Sequence, residues 1–356
     1  MTSTEIGSTL SSEVDELYSA AIELRFFECR SLKSLAQQTL TVILLLYCAS
    51  LPAPARSQLE HSPEADSAFN AAVEDLERGD LASAFAKLQT TLKTHPSDPR
   101  IEELLGQVLD KLGKEDQALP HLRKAVTLSP EQQAFWNNLA VVCLRVSKIN
   151  EGEKALQRSL DIGPNALAFR LLGMVRFHQF RTQEGLGFFE KSLAIAPDDF
   201  RSWYYAGSAH HLLGETDPAL YDYKEALKRA PNDFYAQLEL GRLWQELGMH
   251  EQAMGCFRIA RTVQPKNAEV HELLSRSYLK TGNLESALES AQQAINLKPQ
   301  DAAFHYQLGT VLARAGRGGE ASAQFHLFNL FSSQEKKAKR GGWRLEDGSG
   351  LSLGNH

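Results

Sequence analysis

Few residues of this chain have the types and spacing that catalysis or metal binding requires. His210 and His211 form the only histidine doublet, but adjacent helical residues do not face one another, so the two rings do not chelate a metal by themselves. The segment 271–275 (HELLS) lacks the second histidine of a zinc-protease helix. The segment 316–319 (GRGG) is not followed by the Lys-Ser or Lys-Thr of a phosphate-binding loop. The sequence therefore predicts a protein that is not an enzyme and that carries no cofactor and no metal.

The elements that position the side chains are marked by regularly spaced prolines. Seven of them follow one another at intervals of 34, 34, 33, 34, 34 and 34 residues. A proline cannot continue a helix and disfavours helical backbone in the residue before it, so each one marks a helix end. A fixed period of this length indicates a stack of one repeated helical unit. The prolines are Pro96, Pro130, Pro164, Pro197, Pro231, Pro265 and Pro299.

Other residue types recur in register with the prolines. Large apolar residues lie eight positions before most of them, and glycines that could separate two helices lie 17 before most of them, with Ser147 and Phe180 as exceptions. Each unit therefore predicts a helix, a turn, a second helix and a proline stop. Small residues, at which the two helices could cross closely, lie 24 positions before the proline. They are Ala72, Gly106, Ala140, Gly173, Gly207, Gly241, Ser275 and, in a last unit without its proline, Gly309.

This pattern resembles the tetratricopeptide repeat. Repeat five shows the resemblance most fully, with Trp203, Gly207, Ala219, Tyr223, Ala226 and Pro231. The resemblance covers about eight repeats, over residues 65–332. It implies an all-α fold, a right-handed superhelical solenoid of helix-turn-helix repeats.

The resemblance also implies where a ligand would bind. In the family, the first helix of each repeat lines a concave groove that holds an extended peptide or a partner segment. Arginine beside tyrosine is typical of binding hot spots, although a solvated charged face without a ligand is the alternative. The expected partner-binding residues are Arg170, His178, Arg201, Tyr204, His211, Tyr235, Arg242, Arg276, Tyr306 and Arg314. The formal charge of −6 indicates no nucleic-acid partner.

The residues before the array contain an apolar run. We divide them into an N-terminal extension (1–35), a signal peptide or membrane anchor (36–55) and a linker (56–64). Basic residues precede the run, and a small-residue pattern at 52–55 follows it, which is the layout of a cleaved secretory signal. An uncleaved anchor and a soluble amphipathic helix are the alternatives. We expect a protein exported to the periplasm or the medium, or one anchored to a membrane by this single segment.

The last predicted helix is unusually apolar. Five large apolar side chains lie between Phe325 and Phe331, and a terminal repeat needs a polar outer face for solubility. We expect this edge to be covered by the flexible tail (333–356), or by a second copy in a weak homodimer through Phe325, Phe328 and Phe331.

The function expected from these features is that of a non-catalytic protein–protein interaction scaffold. Two alternatives stay open. One is a membrane-anchored assembly factor, and the other is an accessory, substrate-presenting subunit of a separately encoded enzyme.

Export predicts a specific cleavage. Protein purified from its native host should begin near Arg56 or Ser57, because the small-residue pattern at 52–55 is typical of a signal-peptidase site. Intact mass or Edman sequencing measures this directly. A soluble protein that retains residues 1–55 would contradict export.

Overall fold

The computed structural model describes residues 63–342, and within that range it contains sixteen α-helices and no strand. The helices pair into eight successive helix-turn-helix repeats, which confirms the predicted all-α solenoid. In chain order they are α1 Pro63–Glu77, α2 Leu81–Thr94, α3 Pro99–Lys111, α4 Glu115–Leu128, α5 Gln133–Arg145, α6 Ile149–Ile162, α7 Ala166–His178, α8 Thr182–Ile195, α9 Phe200–Leu212, α10 Thr216–Arg229, α11 Phe234–Glu246, α12 His250–Val263, α13 Ala268–Lys280, α14 Leu284–Leu297, α15 Ala302–Arg314 and α16 Gly318–Gly342.

The chain divides into two compact units, Met1–Asn70 and Ala71–His356. Of the first unit the structure describes residues 63–70, the start of α1. The predicted segments 1–35 and 36–55, most of the predicted linker and residues 343–356 lie outside the described residues, so a signal or an anchor stays a prediction. Across residues 63–342, no helix combines the length and the apolar character that a membrane crossing requires.

Five of the eight first helices begin just after a proline, at a short polar residue whose side chain caps the helix. Asp98 follows Pro96 by two residues, and its side chain accepts a hydrogen bond from the Arg100 backbone N–H. Asn165, Asp233, Asn267 and Asp301 cap α7, α11, α13 and α15 in the same way. Such a cap stabilises a helix by about 1 kcal/mol. The proline therefore ends one helix and the next polar residue starts another.

The turn inside each repeat requires one residue with left-handed backbone. Glycine occupies it in six repeats, with φ between 69° and 81°, while Ser147 (φ 60°) and Phe180 (φ 59°) occupy it in repeats three and four. The residue after the turn residue makes the same hydrogen bond whether the turn holds glycine or not. The backbone N–H of Arg181, after Phe180, donates to the carbonyl of Arg176 at 2.9 Å, and that of Lys114, after Gly113, donates to the carbonyl of Leu109 at 2.9 Å. A side chain in this conformation costs about 1–2 kcal/mol. The Phe180 ring is 94% exposed, so its burial does not offset that cost.

The two helices of a repeat cross at the small residue of the first helix. A Cβ atom built on Gly241 would lie 2.4 Å from the ring of Phe257, and one on Gly207 would lie 2.9 Å from the ring of Tyr223. Both rings are fully buried. Gly106, Gly173 and Gly309 face large side chains of their own second helices at similarly short range. The five small positions that hold glycine are therefore points of close helix approach, as the proline period predicted.

A second contact joins five of the repeats to the one before them. The indole Nε1 of Trp136 donates to the carbonyl of Pro130 at 2.7 Å, and Trp203 does the same with Pro197. The same hydrogen bond to the preceding proline carbonyl is made by Gln237 at 2.8 Å, His271 at 3.0 Å and His305 at 2.8 Å. We call this bond, from the side chain six residues after a proline, the proline latch.

The apolar face of α16 packs inward more completely than the sequence indicated. The rings of Phe325 and Phe328 lie 5.9 and 5.3 Å from that of Tyr306, and that of Phe331 lies 5.2 Å from His305. The three residues are spaced by three along the helix and share its inner side. Leu330 is the large apolar residue of this segment that stays exposed. The homodimer through these rings stays a prediction, but the rings already contact α15.

The close helix crossing predicts that replacing glycine with alanine has opposite effects on stability at Gly241 and at Gly255. Gly241→Ala should lower the free energy of unfolding by about 1–3 kcal/mol, because its new methyl group overlaps the Phe257 ring. Gly255→Ala, in α12 with no atom within 4 Å of the added carbon, should raise it by about 0.5–1 kcal/mol. Thermal and denaturant unfolding measure both. A Gly241→Ala protein as stable as the wild type would contradict the crossing geometry.

Candidate functional site

The first helices of successive repeats lie next to one another and form the inner side of the array. Their backbones approach across repeat boundaries, from α3 and α5 through to α13 and α15, more closely than those of the second helices do. An ion pair between Arg242 of α11 and Glu269 of α13 places those two side chains side by side on this surface. The exposed side chains of the first helices therefore define the candidate site.

Several predicted binding residues are occupied by contacts within the chain. Arg170 Nε lies 2.8 Å from Asp199 Oδ2, in the turn that leads into the next repeat. His211 Nε2 donates to Glu246 of the next first helix at 2.9 Å. Arg242 binds Glu239 at 3.0 Å as well as Glu269. These three side chains join neighbouring repeats, so their role in the structure is to hold the inner surface together.

Tyr204 is also a structural residue. Its ring lies 5.1 Å from that of Tyr205 and 6.1 Å from that of Tyr223. Burial raises the pKa of Tyr204 well above its usual value, so the phenol stays protonated. Tyr204 therefore packs among the aromatic rings under the inner surface.

The other predicted residues remain available at the surface. Arg201 is exposed with its guanidinium 4.7 Å above the ring of Phe200, and Arg276 is half-exposed although it binds Glu272 at 2.5 Å. The positions of the exposed residues are counted from the small residue at which each first helix crosses its partner. Arg201 and Tyr235 lie six residues before it and Tyr306 lies three before it, whereas Arg276 lies one and Arg314 five residues after it. Those spacings place them on one side of a helix. We call this set the inner stripe: Arg201, Tyr235, Arg276, Tyr306 and Arg314. His178, at the end of α7, is exposed as well.

Carboxylates of the same helices lie partly beneath the inner stripe. Burial raises the pKa of Glu239 and of Glu272, while Arg242 and Arg276 oppose that rise. Glu272 is buried but its partner Arg276 is half-exposed. The charge that reaches the surface at this pair is therefore the guanidinium, which suits the binding of carboxylate and carbonyl oxygens.

Sequence reasoning missed a polar cluster on the inner side of repeats two and three. Glu103 is buried and accepts hydrogen bonds from Gln107 at 2.5 Å and from Asn138 of the next repeat. Arg145 binds Asp110 at 2.5 Å nearby. The signal was available, because Glu103 lies 27 residues before its proline, as Arg170 and Tyr204 do. Burial raises the pKa of Glu103.

Comparison with known families decides the identity of the repeat. Sequence models described as the tetratricopeptide repeat match residues 69–133, 103–166, 189–234 and 212–277, and one described as the TPR repeat matches 275–316. The chain is a tetratricopeptide repeat (TPR) protein. The predicted family is thus confirmed.

Known proteins similar to this TPR protein differ in size and context. An N-terminal acetyltransferase A complex subunit-like protein of Schizosaccharomyces pombe is 31% identical over 97 residues, which is 27% of this chain but only 14% of that relative. The solved structure of pilF from Pseudomonas aeruginosa is 18% identical with a TM-score of 0.54, over 61% of this chain and 97% of its own. A chain of the APC/C hetero-tetramer Cut9–Hcn1 is 18% identical with a TM-score of 0.51, over 73% of this chain and 51% of its own. At these identities the two structures show a shared fold.

The two histidines of the doublet contact different carboxylates of this TPR protein. His210 Nδ1 lies 2.5 Å from Glu215, and its Nε2 lies 3.6 Å from Asp222, whereas His211 reaches Glu246 of the next repeat. Residues 63–342 hold no group of three or more His, Cys, Asp or Glu side chains arranged for a metal ion. Asp222 is buried, and its Oδ2 accepts no hydrogen bond from the described residues.

Burial raises the pKa of Asp222 from 3.8 to about 6, against the opposing effect of His210. The folded state therefore holds this proton more tightly than the unfolded state does. The resulting stabilisation is present below about pH 4 and is lost as the pH rises through about 6, with an upper bound of about 3 kcal/mol.

Asp222→Asn should remove the loss of stability that ionisation of the buried Asp222 carboxyl causes at neutral pH. The variant should unfold at a higher temperature than the wild type at about pH 7, and the difference should shrink towards about pH 4, where the wild-type carboxyl is protonated. Asp217→Asn, exposed at the start of the same helix, is the control and should gain no stability at neutral pH. Thermal unfolding at several pH values measures the effect, and a destabilised Asp222→Asn protein at neutral pH would contradict it.

Proposed function

We propose that this TPR protein is a non-catalytic scaffold that binds an extended peptide or partner segment along the inner stripe. The family and its structural neighbours support a role in protein–protein interaction. The observation that carries the finer proposal is the separation of inner-side residues into two groups. Arg170, His211 and Arg242 are engaged with carboxylates of adjoining repeats, whereas the stripe offers guanidinium and phenol groups that remain exposed, Arg276 among them although it binds Glu272 of its own helix.

The geometry of the stripe favours an extended ligand. Packed helices lie about 8–10 Å apart, so each repeat meets about three residues of an extended peptide, which rises about 3.3 Å per residue. Arginine donates to carbonyl and carboxylate oxygens in a fixed fork, and tyrosine offers a flat contact surface at low entropic cost. The expected ligand is therefore an extended segment that carries acidic side chains.

Binding should depend on stripe residues that have no ion pair within the described chain. Arg201→Ala combined with Tyr235→Ala should weaken partner binding at least tenfold, because both side chains are exposed on first helices. Arg158→Ala combined with Tyr221→Ala removes one exposed arginine and one exposed tyrosine from second helices, and should leave binding unchanged. The affinity should be about micromolar and should fall with added salt, since exposed charges are screened.

The measurement is a pull-down from the native host with the wild type and both double variants. Mass spectrometry identifies the partner, and calorimetry with that partner gives the affinities. Circular dichroism confirms that both variants fold. Equal recovery by the stripe variant and the wild type would move the site elsewhere.

A second candidate function is supported by one finding. The similarity to a relative named as an acetyltransferase complex subunit-like protein favours an accessory subunit that presents substrates to a separately encoded enzyme. The same pull-down separates the two candidates. Stoichiometric recovery of a catalytic subunit, together with its enzymatic activity, would support the accessory role.

A further inference from the structure

Exposed apolar side chains cluster at the turn edge of three successive repeats. They sit where the first helix of repeats four, five and six passes into the second, and they are between 37% and 94% exposed. We call this set the apolar ridge: Phe180, Leu212, Leu213, Leu247 and Met249. The ridge lies at the ends of the first helices and is separate from the inner stripe, so it does not rest on the proposed function.

The fold itself does not require an apolar edge here. The residue before the turn is apolar in repeats two and three as well, but Leu112 and Val146 are only half-exposed there. The residue after the turn is polar in the other repeats, such as Lys114, Asn283 and Arg317. At the position of Phe180, six repeats have glycine, and the phenylalanine keeps the same left-handed backbone with its ring in solvent. Backbone strain retained without a packing gain is typical of functional positions.

The charges around the ridge indicate what covers it. The turn segments 178–184, 210–217 and 245–251 contain five carboxylates, four histidines and one arginine. Glu215 and Glu246 contact histidines of these segments, and Glu184 binds Arg181 at 2.6 Å. Asp217 and Glu251 are exposed. The ridge is therefore an apolar strip with an acidic border.

We propose that the apolar ridge docks a basic amphipathic helix of a partner protein. Equivalent residues of neighbouring repeats are separated by roughly the 8–10 Å between packed helices. Apolar residues seven apart on a partner helix are separated by about 10.5 Å, so one face of such a helix meets each repeat in turn. Lysine and arginine beside that face would meet the acidic border. The same border repels an anionic membrane and the same edge of a second copy of this chain.

The test uses a defined probe with the full chain. The probe is a fluorescent 21-residue helical peptide with leucine at the first and fourth positions of three heptads and lysine at most other positions. Its counterpart carries glutamate in place of lysine. Anisotropy titrations should show saturable binding of the lysine peptide at about micromolar affinity, and binding at least tenfold weaker for the glutamate peptide.

Matched variants locate the binding surface. Phe180→Gly combined with Leu212→Ser and Leu247→Ser should weaken binding of the lysine peptide at least tenfold. Phe180→Gly relieves the left-handed strain, so the Phe180→Gly single variant should be at least as stable as the wild type while binding more weakly. Leu128→Ser, Ile195→Ser and Val263→Ser form the control, since these residues are between 38% and 45% exposed at the opposite, proline edge, and they should leave the affinity unchanged.

Three outcomes would overturn the proposal. One is equal binding of the lysine and glutamate peptides, which removes the charge complementarity. Another is unchanged binding of the lysine peptide by the folded ridge triple variant. The third is ridge-dependent binding to phosphatidylserine vesicles, or ridge-dependent dimerisation in ultracentrifugation, without ridge-dependent binding of the peptide.

Discussion

The close crossing of the two helices in each repeat is the contact on which the rest of the molecule depends. A missing side chain at Gly207 or Gly241 allows the ring of Tyr223 or Phe257 to lie directly on the backbone of the first helix. Interiors packed this densely have little room for adjustment. The crossing fixes the angle of the pair, and the pair fixes which side chains of the first helix point inward. The inner stripe is thus a consequence of packing that takes place on the other side of the same helix.

Polar contacts between repeats complete the stack, and they give the arginines of the first helices two different roles. Arg170 and Arg242 face carboxylates of the adjoining repeat and are held in place, whereas Arg201 lies over a neighbouring ring with its charge exposed. A surface built in this way has rigid positions alternating with available ones. Rigid neighbours reduce the entropy that the available side chains lose on binding.

The repeat architecture could be predicted from the sequence because its rules are local. Proline ends a helix and glycine takes the left-handed turn whatever surrounds them, so the period alone located the helix pairs. The role of Arg170 could not be predicted in this way, since it depends on Asp199 in the next repeat. The inward packing of Phe325, Phe328 and Phe331 likewise depends on Tyr306 and His305 of the preceding helix. Contacts of this kind require three-dimensional placement.

The proline latch has an evolutionary consequence. Its acceptor is a main-chain carbonyl, which every residue carries, so only the donor side must be maintained by selection. Tryptophan, glutamine and histidine all serve as donors in this chain, which shows how loosely even that side is specified. A junction of this type survives when a repeat is duplicated, deleted or exchanged, since the new neighbour needs no compensating mutation. Arrays assembled in this way can change length by recombination while a junction that carries the latch keeps its hydrogen bond.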